Sequence, residues 1–315
     1  MMKRALGRSG LSIAPLVFGA NVFGWTADKQ RSFELLDRFV EAGFDAIDTA
    51  DMYSTWVPGN QGGESETIIG EWMKNRDCRN RIVLITKVGM EMPAGKGLSA
   101  AWIERAVEDS LRRLQTDRID LYFSHLFDAD VPVEETLQAY DRLIAAGKVR
   151  AIGASNHTAE QLERALNAAQ TEGLPRYEVL QPEYNLYDRD SYEGPLRELA
   201  IQKGLGVITY YSLASGFLSG KYRSKADLDK SPRGASIAKY FDARGERVLA
   251  VLDDVAAAHR ATPAEVALAW LMAREGVTAP IASATQLDQL ESLIRSTQLV
   301  LSDDEMQALH EVGAA

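Results

Sequence analysis

Short apolar runs alternate with amphipathic stretches along most of this chain. After a small hairpin predicted over residues 3–15, each apolar run has the length typical of a buried strand. The predicted strands lie at residues 15–19, 46–48, 82–87, 119–124, 149–155, 179–181, 206–210 and 279–282. The pattern therefore predicts eight strands, each separated from the next by a polar or amphipathic segment.

Helices are predicted between these strands because apolar residues recur there at spacings of three and four. Thr158 with Gln161 has the capping-box form, and Thr262 followed by Pro263 marks another helix start. Gly43 indicates a helix end. The predicted helices cover residues 28–43, 64–75, 99–114, 132–146, 158–169, 191–203 and 246–259, and others start near 262, 288 and 302.

This order of elements predicts one α/β domain over residues 1–315, a (β/α)8 TIM barrel with a short N-terminal β-hairpin and extra C-terminal helices. A doubly wound sheet is the second possibility. Such a sheet normally carries G-x-G-x-x-G after its first strand, and that motif is absent here. A long polar loop is predicted over residues 212–245, and its part 223–245 and the loop 56–63 are predicted lids.

The composition is that of an ordinary globular protein, with 46% hydrophobic and 25% charged residues. The formal net charge of -10 argues against nucleic acid and anionic membranes as partners. Cys78 is the one cysteine, which excludes an internal disulfide and fits a reducing compartment. The sequence shows neither a signal peptide nor a membrane span, so we expect a cytoplasmic protein.

Three titratable side chains stand at the ends of predicted strands: Asp48, Lys87 and His125. Tyr53 follows in the next loop. Each alone is more typical of an ordinary turn, surface or core residue. Because strand ends meet at one mouth of a barrel, we expect the four side chains to converge. A lysine there would lower the tyrosine pKa, and an aspartate would keep the lysine charged, which predicts a proton-transfer site that needs a hydride partner.

Six segments of the chain resemble the aldo-keto reductase family, in particular its bacterial branch similar to potassium-channel β subunits. They are residues 48–53, residues 86–87, His125 with Asp128, and residues 147–156, 181–185 and 213–222. The resemblance implies an enzyme that moves a hydride between NAD(P)(H) and a carbonyl or alcohol without a metal. It implies Tyr53 as general acid/base, with Lys87 and Asp48 as its electrostatic partners. His125 is then expected at the substrate oxygen.

The same resemblance implies where the cofactor binds. Ser155, Asn156 and Gln181 match the family's contacts to the nicotinamide carboxamide. Tyr210 matches the aromatic side chain on which the nicotinamide ring stacks. The remaining expected contacts, along the pyrophosphate loop and at the adenosine end, are Gly19, Leu213, Ser215, Gly216, Ser283, Thr285 and Gln289.

Two stretches depart from the family pattern, one after the seventh strand and one after the eighth. Tyr211 stands where serine is frequent, Thr285 where arginine often meets the adenosine 2′-phosphate, and Leu293 where asparagine is common. Arginine is the side chain best suited to a doubly charged phosphate. NADP(H) is favoured on the family pattern, with hydroxyl donors at Ser283 and Thr285, and NAD(H) is the alternative.

Aromatic residues in the predicted mouth loops, Trp25, Trp56 and Phe127 together with Phe23, predict a partly aromatic substrate pocket. A sugar lactol and an aromatic aldehyde would both stack there, so the expected partner is a small carbonyl or sugar compound. The sequence leaves the physiological direction and the oligomeric state open.

Two other functional classes remain open beside a free reductase or an NAD-dependent sugar dehydrogenase. One is a cofactor-binding regulatory subunit with little turnover, as some family members are in potassium channels. The chain begins almost directly at the hairpin, which favours a free enzyme. The other is a barrel aldolase with Lys87 as Schiff-base nucleophile, but this chemistry needs a neutral lysine, and Asp48 argues against it.

Overall fold

The computed structural model describes residues 2–314 and contains a closed barrel of eight parallel strands. A two-stranded antiparallel hairpin, β1 (Arg4–Ala5) and β2 (Ser12–Ile13), precedes the barrel. The barrel strands are β3 (Val17–Gly19), β4 (Ala46–Asp48), β5 (Val83–Val88), β6 (Ile119–Ser124), β7 (Val149–Ser155), β8 (Tyr177–Gln181), β9 (Gly206–Thr209) and β10 (Ala279–Ala282). They follow one another in chain order, and β10 closes the barrel against β3. The predicted (β/α)8 fold is confirmed.

Helices pack around the outside of the barrel, one or more after each strand. They are α1 (Lys29–Glu41), α2 (Glu64–Arg76), α3 (Ala100–Leu114), α4 (Val133–Ala145), α5 (Ala159–Glu172), α6 (Pro195–Lys203), α7 (Gly234–Ile237), α8 (Ala243–His259), α9 (Pro263–Ala273), α10 (Leu287–Ser296) and α11 (Asp303–Gly313). The additional helices near the C-terminus confirm that part of the prediction.

Two predicted helix starts differ from the structure by three residues or more. The helix predicted from residue 191 begins at Pro195, because Gly194 before it has a φ of 86°, which a helix does not accommodate. The helix predicted from residue 246 begins at Ala243. There the Asp242 carboxylate accepts a hydrogen bond from the Gly245 backbone N–H at 2.7 Å and caps the helix.

The segment predicted as a loop over residues 212–245 is only partly irregular. It contains short helical turns at Ala214–Ser219, Lys225–Lys230, Gly234–Ile237 and Ala238–Tyr240. The turn at Lys225–Lys230 has a capping box formed by Ser224 and Asp227. This segment, which we call the β9 loop, therefore has local structure of its own.

Alternation along the strands explains how the barrel interior and the mouth are built. Successive side chains of a strand point to opposite faces, so every second residue points inward. Inward residues at mid-barrel form one apolar cluster that includes Ala46, Ile85, Phe123, Val179 and Ile208. The inward position two residues later on each strand is polar or titratable, and these positions are Asp48, Lys87, His125, Gln181 and Tyr210.

One close contact in this interior requires a glycine. A Cβ atom at Gly153 on β7 would lie 2.3 Å from the ring of Phe123 on the neighbouring strand. The absent side chain therefore leaves the space that Phe123 fills directly below the mouth.

The N-terminal hairpin closes the opposite end of the barrel. Leu6, Leu11 and Ile13 are buried and belong to the same apolar cluster as the inward-facing strand residues. Gly7 packs so closely on β9 that a Cβ there would lie 2.7 Å from the Gly206 nitrogen. Since the hairpin covers this end, the C-terminal ends of the strands form the accessible mouth.

Among residues 2–314, none of the helices has the length and apolar character that crossing a membrane requires. The same residues contain no group of three or more His, Cys, Asp or Glu side chains arranged to hold a metal ion.

Candidate active site

The Lys87 ammonium is the centre of the cluster at the barrel mouth. Lys87 is fully buried, and its Nζ donates to Asp48 Oδ2 at 2.6 Å, to the Thr49 carbonyl at 2.8 Å and to Tyr53 Oη at 3.2 Å. An ammonium has three hydrogens, and each one here has an acceptor. Tyr53 Oη is thus an acceptor from Lys87, and its own hydrogen remains free to donate elsewhere.

The ion pair between Lys87 and Asp48 sets the charges of this cluster. Burial alone would lower the Lys87 pKa, but the charge and hydrogen bond of Asp48, together with Tyr53, raise it above its usual value. Lys87 is therefore charged at neutral pH. Burial raises the pKa of Asp48, against the opposing effects of Lys87 and Gln181.

Lys87 lowers the pKa of Tyr53 as expected, but the net shift of this pKa in the structure is upward. Burial raises the Tyr53 pKa, the Asp48 charge raises it further, and the opposing effect of the Lys87 charge does not outweigh them. The extent of desolvation depends on how the barrel closes around the phenol, which a sequence pattern does not reveal. Tyr53 is consequently protonated at neutral pH.

His125 lies beside Tyr53, with a distance of 6.1 Å between the ring centroids. It is buried, and both burial and the nearby Lys87 charge lower its pKa well below the ordinary histidine value. The imidazole is therefore neutral. Its Nδ1 is buried without a hydrogen-bond partner in the described part of the chain, so the Nε2–H tautomer avoids leaving a buried N–H without an acceptor.

Side chains expected at the nicotinamide form a hydrogen-bonded wall next to this cluster. Asn156 Nδ2 donates to the His125 carbonyl at 2.8 Å, and the Tyr210 hydroxyl donates to Asn156 Oδ1 at 2.7 Å. Asn156 has a φ of 55°, a left-handed conformation that asparagine tolerates better than most residues. Ser155 Oγ donates to the Gln181 carbonyl at 2.9 Å. The structure therefore brings these four residues together on β7, β8 and the end of β9.

Gln181 also makes a contact that the sequence did not indicate. Its side-chain Nε2 donates to Asp48 Oδ1 at 3.0 Å, and the residue is buried. The wall of expected cofactor contacts is thus joined directly to the aspartate of the titratable cluster.

The expected adenosine-end residues lie at and after the end of β10. Ser283 Oγ donates to Asn21 Oδ1 at 2.7 Å, and a Cβ at Gly19 would lie 2.7 Å from the same Oγ. Thr285 Oγ1 donates to Gln289 Oε1 at 3.2 Å, and the Thr285 backbone N–H donates to the same oxygen at 2.9 Å. Both hydroxyls predicted as phosphate donors are therefore hydrogen-bonded within the protein. Asn21 was missed because an isolated asparagine after a strand has no distinguishing pattern.

The start of the β9 loop has the backbone expected of a tight, ligand-facing turn. Ser215 has a φ of 58° and Gly216 a φ of 104°, and the Gly216 N–H donates to the Leu213 carbonyl at 2.8 Å. Successive left-handed residues expose neighbouring backbone groups in a way that suits anions. Leu213, Ser215 and Gly216 remain predicted contacts of a pyrophosphate.

Arg233 in the β9 loop is a cation that the sequence did not single out. Its guanidinium lies 5.3 Å from the centroid of the Trp25 ring, and its Nη2 is buried without a hydrogen-bond partner among residues 2–314. Burial lowers the Arg233 pKa, and the neighbouring Tyr211 and Tyr53 oppose that shift. An unpaired guanidinium beside the mouth is suited to an anionic ligand group.

Two of the predicted mouth aromatics form one rim with Tyr53. Trp56 makes edge contacts with both Tyr53 and Trp25, at centroid distances of 5.7 Å in each case. Trp56 is 42% exposed and Tyr211, on the other side of the mouth, is 48% exposed. Exposed aromatic rings at a concave mouth provide apolar faces on which a ligand can pack.

The other two aromatic residues predicted at the mouth behave differently. Phe127 packs against His157, with 5.7 Å between the ring centroids. Its side chain is partly exposed but makes no ring contact with Tyr53, Trp25 or Trp56. Phe23 is fully buried and packs on Phe18 at 5.4 Å. Its assignment to the pocket was wrong, because a loop residue next to a strand also has access to the core.

Comparison with known proteins gives a family match. The sequence profile of the aldo/keto reductase family matches residues 15–314. The uncharacterized oxidoreductase YrpG of Bacillus subtilis is 32% identical, over 98% of this chain and 94% of its own length. A probable voltage-gated potassium channel subunit beta of Oryza sativa is 32% identical, over 95% of this chain and 92% of its own length. Norsolorinic acid reductase stcV of Emericella nidulans is 31% identical, over 96% of this chain and 79% of its own length.

Proposed function

The chain belongs to the aldo/keto reductase family, and from this premise we propose that it reduces a small aldehyde or ketone with a nicotinamide cofactor, residues 1–315 acting as one catalytic domain. When bound, the reduced nicotinamide supplies a hydride. Tyr53 supplies the proton. The observation that supports this role most directly is the contact from Lys87 Nζ to Tyr53 Oη at 3.2 Å, which leaves the phenolic hydrogen free.

Each residue of the cluster has a different role at the carbonyl oxygen of the substrate. Negative charge develops on this oxygen as the carbonyl carbon is reduced, and Tyr53 Oη–H donates to it. The Lys87 charge stabilises the phenolate left after proton transfer. The neutral imidazole of His125 donates through Nε2 to the same oxygen and fixes its position. Asp48 balances the Lys87 charge throughout.

The protonation state of Tyr53 suits it to the reductive step at neutral pH. Reduction needs the phenol as an acid, whereas alcohol oxidation needs the phenolate as a base. Burial raises the Tyr53 pKa, so the acid form predominates. We propose that oxidation becomes competitive only at alkaline pH.

The cofactor site supports NAD(P)(H) binding with weak discrimination between the two forms. Arg233, with its unpaired Nη2, and the left-handed turn at Ser215 and Gly216 would hold the pyrophosphate. At the adenosine end, both candidate hydroxyls are already hydrogen-bonded, and the nearby Arg295 is paired with Glu265 at 2.7 Å. NADP(H) stays the family-based proposal, with NAD(H) as a close competitor.

The rim supports a planar, largely apolar carbonyl compound over a sugar. Sugar recognition needs many free hydrogen-bonding groups, yet Asn60 near Trp56 already donates to the Gly24 and Ser54 carbonyls. The exposed ring faces of Trp56 and Tyr211 remain available for stacking against a planar substrate. The relative named norsolorinic acid reductase is consistent with an aromatic ketone as substrate.

A regulatory subunit with little turnover is the second candidate, because one relative is named as a probable potassium channel subunit beta. The complete cluster of Asp48, Tyr53, Lys87 and His125 favours an active enzyme instead. The aldolase possibility loses support, since the raised pKa of Lys87 keeps it charged and non-nucleophilic.

The test combines binding and turnover. NADPH and NADH are titrated while tryptophan fluorescence is followed, and NADPH oxidation is then measured with 4-nitrobenzaldehyde and with xylose. We expect both nucleotides to bind and the aromatic aldehyde to be reduced faster. Tyr53→Phe should lower turnover on the order of 100-fold to 10,000-fold without weakening cofactor binding. Binding of neither nucleotide would remove the oxidoreductase proposal, and binding without turnover would support the regulatory subunit.

A further inference from the structure

A hydrogen bond crosses the barrel interior at the base of the mouth. Gln181 Nε2 on β8 donates to Asp48 Oδ1 on β4 at 3.0 Å. In the closed order of eight strands, β4 and β8 are four strands apart, so they are opposite walls. Side chains of alternate strands form one layer in such a barrel, which explains why these two meet.

This bond completes the set of donors around a buried carboxylate. Asp48 Oδ2 accepts from Lys87 at 2.6 Å, and Gln181 is the side-chain donor to Oδ1. Asp48 and Gln181 are each 2% exposed, so water has little access to replace a lost donor. A buried carboxylate oxygen without a donor is costly, and the carboxylate would rotate or shift to recover one.

Any such movement reaches Tyr53 through Lys87. The ammonium has no spare hydrogen, because Asp48, the Thr49 carbonyl and Tyr53 take all three. If the Asp48 carboxylate rotates, the Lys87 ammonium either moves with it or loses the hydrogen bond to it. The contact between Lys87 Nζ and Tyr53 Oη changes in either case. Gln181 is therefore connected to the Tyr53 hydroxyl through three hydrogen bonds in series, by way of Asp48 and Lys87.

We propose that Gln181 is a positioning residue for the acid/base cluster, which fixes the Asp48 carboxylate through the cross-barrel bond and thereby fixes Lys87 against Tyr53. The backbone carbonyl of Gln181 accepts from Ser155 Oγ at 2.9 Å. No hydrogen bond to Gln181 Oε1 is present within residues 2–314, so this oxygen stays available to a ligand in the mouth. The Gln181 amide would thus contact a ligand through Oε1 while its Nε2 holds the Asp48 carboxylate next to Lys87 and Tyr53. This inference rests on the proposed reductase function.

The competing explanation is that Gln181 serves the cofactor alone. The two explanations differ in what Gln181→Met changes, since methionine keeps the length of the side chain and removes the amide. A cofactor-only role predicts weaker cofactor binding and an unchanged rate of hydride transfer once the cofactor is saturating. Positioning predicts a slower single-turnover rate at saturating cofactor, by about tenfold to 100-fold, as expected for a displaced catalytic group.

A double-mutant cycle with Asp48→Asn separates the roles further. If Gln181 acts through Asp48, then Gln181→Met slows the single-turnover rate strongly in the wild type and by less than about twofold in the Asp48→Asn background. If the two effects multiply instead, the positioning role is overturned. Gln202→Glu alters the charge of an exposed glutamine on α6 and serves as the control, with no effect expected.

The same cycle is measured in urea unfolding without cofactor or substrate. We expect the shifts of the unfolding midpoint for Gln181→Met and Asp48→Asn to be non-additive, because the two side chains share one bond. Additive shifts would count against the bond itself. Failure of the wild type to oxidise NADPH with any carbonyl would refute the proposed function, whereas a wild-type enzyme with additive Gln181 effects would refute only this inference.

Discussion

Lys87 shows how a single buried charge can determine both stability and chemistry. Its ammonium is fully buried and its hydrogens all have acceptors, so the charge is tolerated because Asp48 lies 2.6 Å away. Neither member of the pair can be removed without leaving the other uncompensated. The stability of the barrel mouth and the activity of Tyr53 therefore depend on the same contact.

Lys87→Met should abolish turnover and destabilise the protein. The substitution leaves the buried Asp48 carboxylate without its counter-ion, which typically costs about 3–5 kcal/mol of unfolding free energy. Asp48→Asn in the same chain removes the stranded charge, so the double variant should recover a large part of this stability but none of the activity. Urea unfolding of the three proteins measures this. A double variant no more stable than Lys87→Met would contradict the ion-pair account.

A second substitution tests the adenosine end of the site. Thr285→Arg places a guanidinium where the family frequently has arginine, and we expect NADPH to bind about tenfold tighter through a charge-assisted bond to the 2′-phosphate. NADH lacks this phosphate, so its Kd should stay the same. Thr285→Met is the matched control, because it also removes the hydroxyl bond to Gln289 but adds no charge. Equal tightening of both nucleotides would show that residue 285 does not face the phosphate.

The β9 loop illustrates how an irregular element is held over a site. Asp188, after β8, accepts from the Tyr240 hydroxyl at 2.6 Å and from Lys239 Nζ at 3.1 Å. Asn185 Nδ2 donates to the Tyr211 carbonyl at 3.0 Å, which fixes the other end of the loop. Two anchors from one neighbouring loop therefore hold the segment that carries Arg233.

Asp188→Ala should release this loop without unfolding the barrel. We expect limited proteolysis within residues 223–245 to become at least about tenfold faster, because local opening needs less free energy than global unfolding. Cofactor should also dissociate faster. Asp190→Ala removes an exposed carboxylate two residues away and should change neither rate. Unchanged proteolysis in Asp188→Ala would mean that the apolar contacts of the loop, and not this carboxylate, hold it in place.

The alternation of apolar runs was sufficient to predict the strands and helices, and the strand ends correctly located Asp48, Lys87 and His125. The start of α8 was missed although Asp242 gives a capping signal, because the apolar pattern resumes only after it. The bond from Gln181 to Asp48 joins residues from opposite walls, and no local pattern encodes such a pair. The net upward shift of the Tyr53 pKa was missed for the same reason, since desolvation depends on the closed barrel.

Among residues 2–314, Asp51 is the buried carboxyl group that has no ion-pair partner, although several other buried carboxylates in the molecule are paired. Behind the mouth, Arg113 Nε donates to Glu66 Oε2 at 2.7 Å, and Thr86 donates to the other Glu66 oxygen at 2.6 Å. Asp51 lies in the same region, fully buried, and neither of its carboxylate oxygens has a side-chain partner among the described residues. Arg113 is therefore paired with Glu66. The Asp51 carboxyl group has no hydrogen-bonded counter-ion among the described residues, so we expect it to be protonated and neutral.

This arrangement makes the stability of the barrel depend on pH. Burial, and then the Glu66 charge, raise the pKa of Asp51 well above its ordinary value. The folded protein thus binds a proton that the unfolded chain has released above a pH of about 4. A group with a raised folded pKa contributes its stability at low pH and loses it as pH rises. From about pH 4 up to the folded pKa of Asp51, unfolding free energy should fall by up to about 1.4 kcal/mol per pH unit from this group.

Asp51→Asn should remove this dependence, because asparagine is neutral at every pH and has nearly the same shape. The stability advantage of the variant over the wild type should grow as pH rises from 5 towards the folded pKa of Asp51, in unfolding curves measured at each pH. Asp130→Asn, an exposed aspartate, controls for the change in net charge and should show a flat difference. If the difference for Asp51→Asn is also flat, Asp51 is ionised in the folded barrel and Arg113 serves both carboxylates. In that case the cluster behind the mouth is a shared ion pair, and Arg113→Met would destabilise the barrel more at high pH than at low pH.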